Sequence, residues 1–229
     1  MKHILICTLK SWNIEKANEL KMLRQGDCNI SIITNNKNLE QRIIDINPDY
    51  IFFPHWSYII PKEVYENFNC IVFHMTDLPY GRGGSPLQNL IVRGYKQTKI
   101  SAIKVTGEID AGPVYMKKEL SLEGSAEEIY KRASEIIFND MIPYIIANDI
   151  EPKEQEGTPV VFKRRKPAES QLQESFSMEQ IYDYIRMLDA EGYPQAFIQL
   201  GDKKFEFSKV TRATDKLIAQ VVIREGKNE

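Results

Sequence analysis

The fold this sequence predicts is α/β: an open, mostly parallel twisted sheet with flanking helices, followed by a small C-terminal β-rich subdomain. Three observations predict it. Apolar strand patterns alternate with helical ones through the first half of the chain, the signature of βαβ units. The apolar run Ile71, Val72, Phe73 leads straight into His74 and a Gly/Pro-rich loop, as expected at the carboxyl end of a sheet strand, where open α/β sheets place ligands. Beyond about residue 160 the pattern changes to one helix and three strands.

Taken in order, residues 3–7 form a first buried strand. Residues 13–23 carry Ile14, Ala17, Leu20 and Leu23 at helical spacing. Residues 29–34 form a second strand, and residues 38–46 a helix that Asn47 and Pro48 end. A third strand over 49–53 stops at Pro54. Residues 61–68 form a short helix with Pro61 in its first turn, where the missing N–H costs nothing. Residues 70–73 are the fourth strand. Beyond His74, Ser85 reads as an N-cap and Pro86 as the first helical residue, which places a helix over 87–93. Strands over 100–105 and 114–122 flank a turn-prone segment holding Asp110 and Gly112. Ser125 and Glu128 fit a capping box that opens a long helix over 125–147. A polar stretch leads to the basic run Lys163, Arg164, Arg165, Lys166. The tail carries a helix over 178–188 and strands over 196–200, 203–209 and 217–223. The expected layout is a catalytic core over 1–160, then a connector, helix and small β subdomain over 161–229.

Composition narrows the function classes. The chain has 229 residues, 42% hydrophobic and 27% charged, ordinary for a globular protein of one large domain with an appendage. A net charge of −2 argues against a general nucleic-acid binder, which carries a basic surplus. No uncharged apolar run approaches the length of a membrane span. The first residues read as a buried strand rather than a secretory leader. Cys7, Cys28 and Cys70 lie in or beside apolar strands without CxxC spacing, so buried free thiols, a cytoplasmic location and no zinc are expected.

Several chemistries lack their motif. No GxGxxG follows the first strand, where Cys7 to Trp12 stand instead, and Walker A, HExxH and GxSxG patterns are absent. What remains is His74, Asp110 and the loop between them. A histidine shuttles protons near neutral pH, and a carboxylate fixes its tautomer and supports its charged form. Taken singly, His74 also suits a structural role, and Asp110 suits a turn.

Together the motifs resemble a family. His74, Thr76, Leu78 and Pro79, then Arg82, Gly83, Pro86 and Gln88, then Asp110, Gly112 and Pro113 match the formyltransferases that use 10-formyltetrahydrofolate, including the methionyl-tRNA, glycinamide ribonucleotide and sugar N-formyltransferases. His74 and Asp110 stand 36 positions apart, which agrees with the family interval. The resemblance covers roughly residues 45–210 and is strongest over 71–113. It extends to Ile185, Arg186, Met187, Leu188 and Tyr193 to Phe197 in the tail. It implies a Rossmann-like formyltransferase core, 10-formyltetrahydrofolate as formyl donor, no metal, and acyl transfer to an amine. His74, Asp110 and Thr76 are the catalytic candidates. Trp56, Ser57, Tyr58 and Ile59, with Thr106 and Asp110, would hold the folate. Arg82, Gly83 and Gln88 are the substrate-binding candidates. The expected acceptor is a small amine, first an amino sugar, nucleotide-linked or otherwise activated. Methionyl-tRNA is the alternative, as is a catalytically degenerate folate- or sugar-nucleotide-binding member. No membrane or nucleic-acid partner is expected, and a homodimer is among the expectations. Plainer roles stand beside these: packing for Trp56 and Tyr58, loop ordering for Arg82, a solvated connector for Lys163 to Lys166.

One position departs from the family. Two residues before the histidine, on the same strand face, the family carries an asparagine that helps stabilise the oxyanion; here it is Val72. Asn69 cannot replace it, since five residues at ~3.3 Å each carry it about 16 Å away and onto the other face. Losing one such donor costs about 10²–10³ in rate. Thr76 and Gln88 are the candidate replacements.

Overall fold

The computed structural model describes residues 1–225. In chain order the elements are β1 (Lys2–Cys7), α1 (Ser11–Leu23), β2 (Cys28–Ile33), α2 (Leu39–Ile46), β3 (Tyr50–Phe53), α3 (Lys62–Asn67), β4 (Cys70–His74), β5 (Tyr80–Gly83), α4 (Pro86–Val92), β6 (Gln97–Lys104), β7 (Val114–Ser121), α5 (Ala126–Ile136), α6 (Ile142–Asn148), β8 (Val160–Phe162), α7 (Met178–Arg186), β9 (Ala196–Leu200), β10 (Lys203–Arg212) and β11 (Leu217–Glu225). Contacts divide the chain into two compact units.

The first unit comprises residues 1–83, 98–120 and 131–161. It holds a six-stranded sheet in the order β2-β1-β3-β4-β6-β7. β1 pairs in parallel with β2 and β3, and β3 with β4, whereas β6 runs antiparallel to β4. Successive parallel strands joined through α1, α2 and α3 are the βαβ pattern that the alternation predicts. One sheet face packs Leu5, Cys7, Ile33, Ile51, Phe53 and Cys70 against Ile43 of α2 and Val64 of α3. The antiparallel step matters for the site: Val72 lies opposite Ile103, and His74 opposite Ser101.

The second unit gathers residues 84–97 and 121–130 around Phe162 and the chain that follows. Its three-stranded sheet runs β11-β10-β9, antiparallel throughout, with a register shift between Ser208 and Thr211. Arg186 at the end of α7 is buried: it donates to Asp183 (2.6 Å) and to the carbonyls of Leu122 (2.6 Å) and Gly124 (2.9 Å). Charge pairing plus two carbonyl acceptors is what permits a guanidinium inside a protein.

Three local expectations are corrected. Ser85 is not a side-chain cap; its backbone is left-handed (φ +50°), and its Oγ accepts the Arg165 N–H at 3.1 Å. The long helix over 125–147 is interrupted by a wide turn over Ile137–Met141. Pro143 is the cause: it has no N–H for the preceding turn, and its ring would crowd the carbonyl of Asn139. Tyr80–Gly83 and Val160–Phe162 form a two-stranded pair, β5 and β8, where the glycines suggest only loop. At the other end of that helix, the Ser125–Glu128 capping box forms as expected, with Glu128 accepting the Ser125 N–H at 2.7 Å. Among the described residues, no helix is long and apolar enough to cross a membrane.

Candidate functional site

β4 delivers His74 to its carboxyl end, where the imidazole is buried. Its Nε2 lies 2.7 Å from the Gly81 carbonyl. A carbonyl only accepts, so Nε2 carries the hydrogen. Nδ1 then faces Asp110, whose Oδ2 is 3.5 Å away. The same carboxylate oxygen accepts the Gly83 N–H at 2.8 Å. The structure thus brings together His74, Asp110 and Gly83 in the first unit.

Asp110 comes from the loop between β6 and β7, and its backbone is left-handed (φ +53°). Gly112 makes that loop possible: a Cβ there would sit 1.8 Å from the Lys104 carbonyl oxygen. Lys104 in turn donates its N–H to Pro113 at 2.9 Å, and Val105 donates to Cys70 at 2.9 Å, tying the loop base to the sheet. Gly112→Ala must push the loop outward. The expected outcome is a loss of at least about 1–3 kcal/mol of stability from overpacking. Moving Asp110 off His74 costs a further ~10²-fold in turnover. Thermal melting and steady-state rates check both, and wild-type turnover in this variant would contradict the placement.

The other sequence candidates distribute as follows. The Thr76 hydroxyl donates to the Gly81 carbonyl at 3.4 Å. Gln88 belongs to the second unit, where it is buried and spends both amide hydrogens, on Tyr130 Oη (3.2 Å) and the Met187 carbonyl (3.0 Å). Both side chains, the candidate oxyanion donors, thus donate to acceptors within the protein. Arg82 donates to Gln155 Oε1 from Nε (3.1 Å) and Nη2 (2.8 Å), a contact of the kind that loop ordering requires. Thr106 Oγ1 donates to the Glu108 carbonyl within its own loop. After β3, Trp56 stands edge-on to Phe53 and to Tyr58, and the segment continues through Ser57. Tyr58 is half exposed and Ile59 is 93% exposed, an apolar surface that burial alone does not explain. Ile109, beside Asp110, is exposed as well.

His55, by contrast, is not placed to exchange protons near neutral pH. Burial, with help from the nearby Lys10 charge, pulls the His55 imidazole down to about 4, so His55 is neutral at pH 7. Burial also pushes the Cys70 thiol up to about 12 and Cys7 upward, which leaves both unreactive. Cys7, Cys28 and Cys70 are buried and free, and no cluster suited to a metal ion occurs among the described residues. A polar hollow at the amino ends of β3 and β4, lined by Asp49, Tyr65, Asn69 and Lys104 among others, contains none of the candidates.

Gln155 is the residue that sequence reasoning missed. Its Nε2 donates to the carbonyls of Asp110 and Gly112, each at 2.9 Å. It lies between two glutamates in a polar stretch that matches no motif, so no local signal marks it.

Comparison with known proteins bears on this geometry. Residues 21–141 match a family model described as formyl transferase, and residues 167–224 match one described as the C-terminal domain of methionyl-tRNA formyltransferase. A solved structure, the methionyl-tRNA formyltransferase from Clostridium thermocellum, is 56% identical with a TM-score of 0.97, over 99% of this chain and all of that one. The methionyl-tRNA formyltransferase of Bacillus subtilis is 26% identical over 174 residues, which make up 72% of this chain and 54% of that protein. The chain spans about half to two thirds of the length of the curated relatives it matches. A Shewanella sugar N-formyltransferase shares the fold, at 16% identity and a TM-score of 0.73, over 94% of this chain and the whole of that one. The histidine strand, the Asp110 loop and a formyl transferase match over more than half its length agree: the chain belongs to the formyl transferase family.

Proposed function

We propose that the chain transfers the formyl group of 10-formyltetrahydrofolate to an amine. The observation that carries this reading is the ordered His74–Asp110 pair, with Nδ1 and Oδ2 at 3.5 Å, in a member of the formyl transferase family. The exposed Tyr58 and Ile59 beside Trp56 suit a flat, partly apolar ring system such as a pterin. Trp56 to Ile59, with the Thr106 to Asp110 loop, would hold the folate, which supplies the formyl carbon.

Gly81 holds the hydrogen on Nε2, so Nδ1 is the atom left to accept the proton that the amine sheds on attacking that carbon. Protonated Nδ1 then faces Asp110, whose charge stabilises the imidazolium until the proton passes to the folate nitrogen, as the formyl C–N bond breaks and tetrahydrofolate leaves. The Gly83 N–H keeps that carboxylate oriented. Three buried free thiols suit a reducing, cytoplasmic setting.

For the acceptor we place the α-amino group of methionyl-tRNA first. The support is the match of residues 167–224 to the C-terminal domain of that enzyme class, together with the name of the 56% identical relative. The amino-sugar reading stands second on one observation. Residues 162–225 hold 11 Lys and Arg against 10 Asp and Glu, which gives a nucleic acid little surplus charge to bind. The test measures tetrahydrofolate release with methionyl-tRNA and with a panel of amino-sugar nucleotides. Release that depends on one acceptor identifies it; no release with either class overturns the transferase reading.

A further inference from the structure

We propose that Gln155 is a positioning residue that holds the Asp110 carboxylate against His74, acting as a clamp between β5 and the β6–β7 loop. The proposal rests on the formyl-transfer reading for its catalytic consequence, although the clamp itself is a matter of geometry.

Asp110 needs holding. Its left-handed backbone is a conformation that residues with side chains adopt only when the surroundings impose it. The loop from Val105 to Pro113 has no regular structure of its own to impose it. The restraint comes from distant chain. Gly83 of β5 donates its N–H to the carboxylate at 2.8 Å. Gln155, 45 positions beyond Asp110, donates both amide hydrogens to the carbonyls that flank Ala111: Asp110 O and Gly112 O, each at 2.9 Å. Its oxygen accepts from Arg82 Nε (3.1 Å) and Nη2 (2.8 Å).

The amide therefore has one possible orientation. Arginine only donates and carbonyls only accept, so a flipped Gln155 would lose all four contacts. Arg82 and Gly83, neighbours on β5, thus grip the Asp110 loop at two points. One grip is direct, on the carboxylate; the other runs through Gln155, on the backbone. With both in place, the carboxylate cannot swing away from Nδ1 of His74. Displacements of about 1 Å at such a pair cost on the order of 10²-fold in rate.

A plain tethering role for Gln155 makes different predictions, and two substitutions separate them. Gln155→Met keeps the volume and loses every hydrogen bond. Gln155→Glu keeps an oxygen for Arg82 but has no hydrogen for the two carbonyls. Positioning predicts that both lower kcat by about 10- to 100-fold, with KM for 10-formyltetrahydrofolate and for the acceptor unchanged within about twofold. In an Asp110→Asn background, Gln155→Met should cost less than about twofold more, because the group it positions is already disabled. A readout independent of turnover uses protein with ¹⁵N-labelled histidine, the His74 ring signals being assigned by their loss in His74→Asn. Gln155→Met should shift the His74 signals and leave those of His3 and His55 in place. An unchanged kcat, or an equal loss with and without the Asp110 carboxyl group, overturns the proposal. If wild type transfers no formyl group to any acceptor, the transferase reading fails, and the clamp is judged by NMR alone: unmoved His74 signals overturn it.

Discussion

On the formyl-transfer reading, replacing His74 with alanine is expected to remove acceptor-dependent release of tetrahydrofolate, with kcat lower by about 10²–10⁴, the usual contribution of one general base. The geometry gives the loss two parts. The variant has no atom to take the amine proton, and Asp110 loses the imidazolium it would stabilise. The buried Gly81 carbonyl also loses its 2.7 Å donor. A carbonyl left short of a donor costs about 1–3 kcal/mol, so His74→Ala should also melt lower. His74→Gln separates the two effects, since a side-chain amide can still donate to Gly81 but cannot accept a proton at neutral pH. Activity should stay lost in the glutamine variant while much of the melting temperature returns. Turnover within about tenfold of wild type in His74→Gln would show that the imidazole is not the base.

What the sequence made legible, and what it hid, follows from where the information is stored. The parallel core was readable because each strand is its own apolar run, as in Ile4 to Cys7 or Ile51 to Phe53, and burial of both faces demands that composition. The approach of Asp110 to His74 was readable only through a motif, because a contact between a strand end and a loop 36 residues later leaves no periodic trace. The β5–β8 pair was hidden for a related reason. Gly81 and Gly83 both have positive φ, a local signal for a turn, and the partner that makes a strand of them lies about 80 residues away. Gln155 was hidden completely: glutamine in a polar linker looks like solvent-facing chain until the fold brings Arg82 and the Asp110 loop to it. Thr76 and Gln88 are polar positions of the motif around His74, and a motif cannot say where a hydrogen already points. The interruption at Ile137–Met141 is the exception, since Pro143 was in plain view and a period-based reading passed over it.

Val72→Asn is expected to raise kcat by about 10²–10³, the value of one oxyanion donor. Val72 and His74 lie two residues apart on β4, so their side chains leave the same face of the sheet. Val72 is half-buried, packed at the margin of the cluster that includes Phe53 and Cys70, in register with Phe53 on β3 and Ile103 on β6. An amide there keeps nearly the volume of valine and carries an NH₂ that can donate to the formyl oxygen as it gains charge. The groups proposed to compensate are committed elsewhere, Thr76 toward Gly81 and Gln88 to Tyr130 and Met187, so the new donor would duplicate nothing. The substitution has a cost. Asparagine beside an apolar cluster gives up valine's packing and adds polar atoms that need partners, about 1–3 kcal/mol. A faster and less stable enzyme is therefore the expected result, read from kcat and the melting temperature together. Lower stability with an unchanged kcat would mean that the oxyanion already has its donor, and a search should then turn to the backbone N–H groups around His74. A gain in rate would identify Val72 as the position where this chain gives up transition-state stabilisation that an asparagine there would supply.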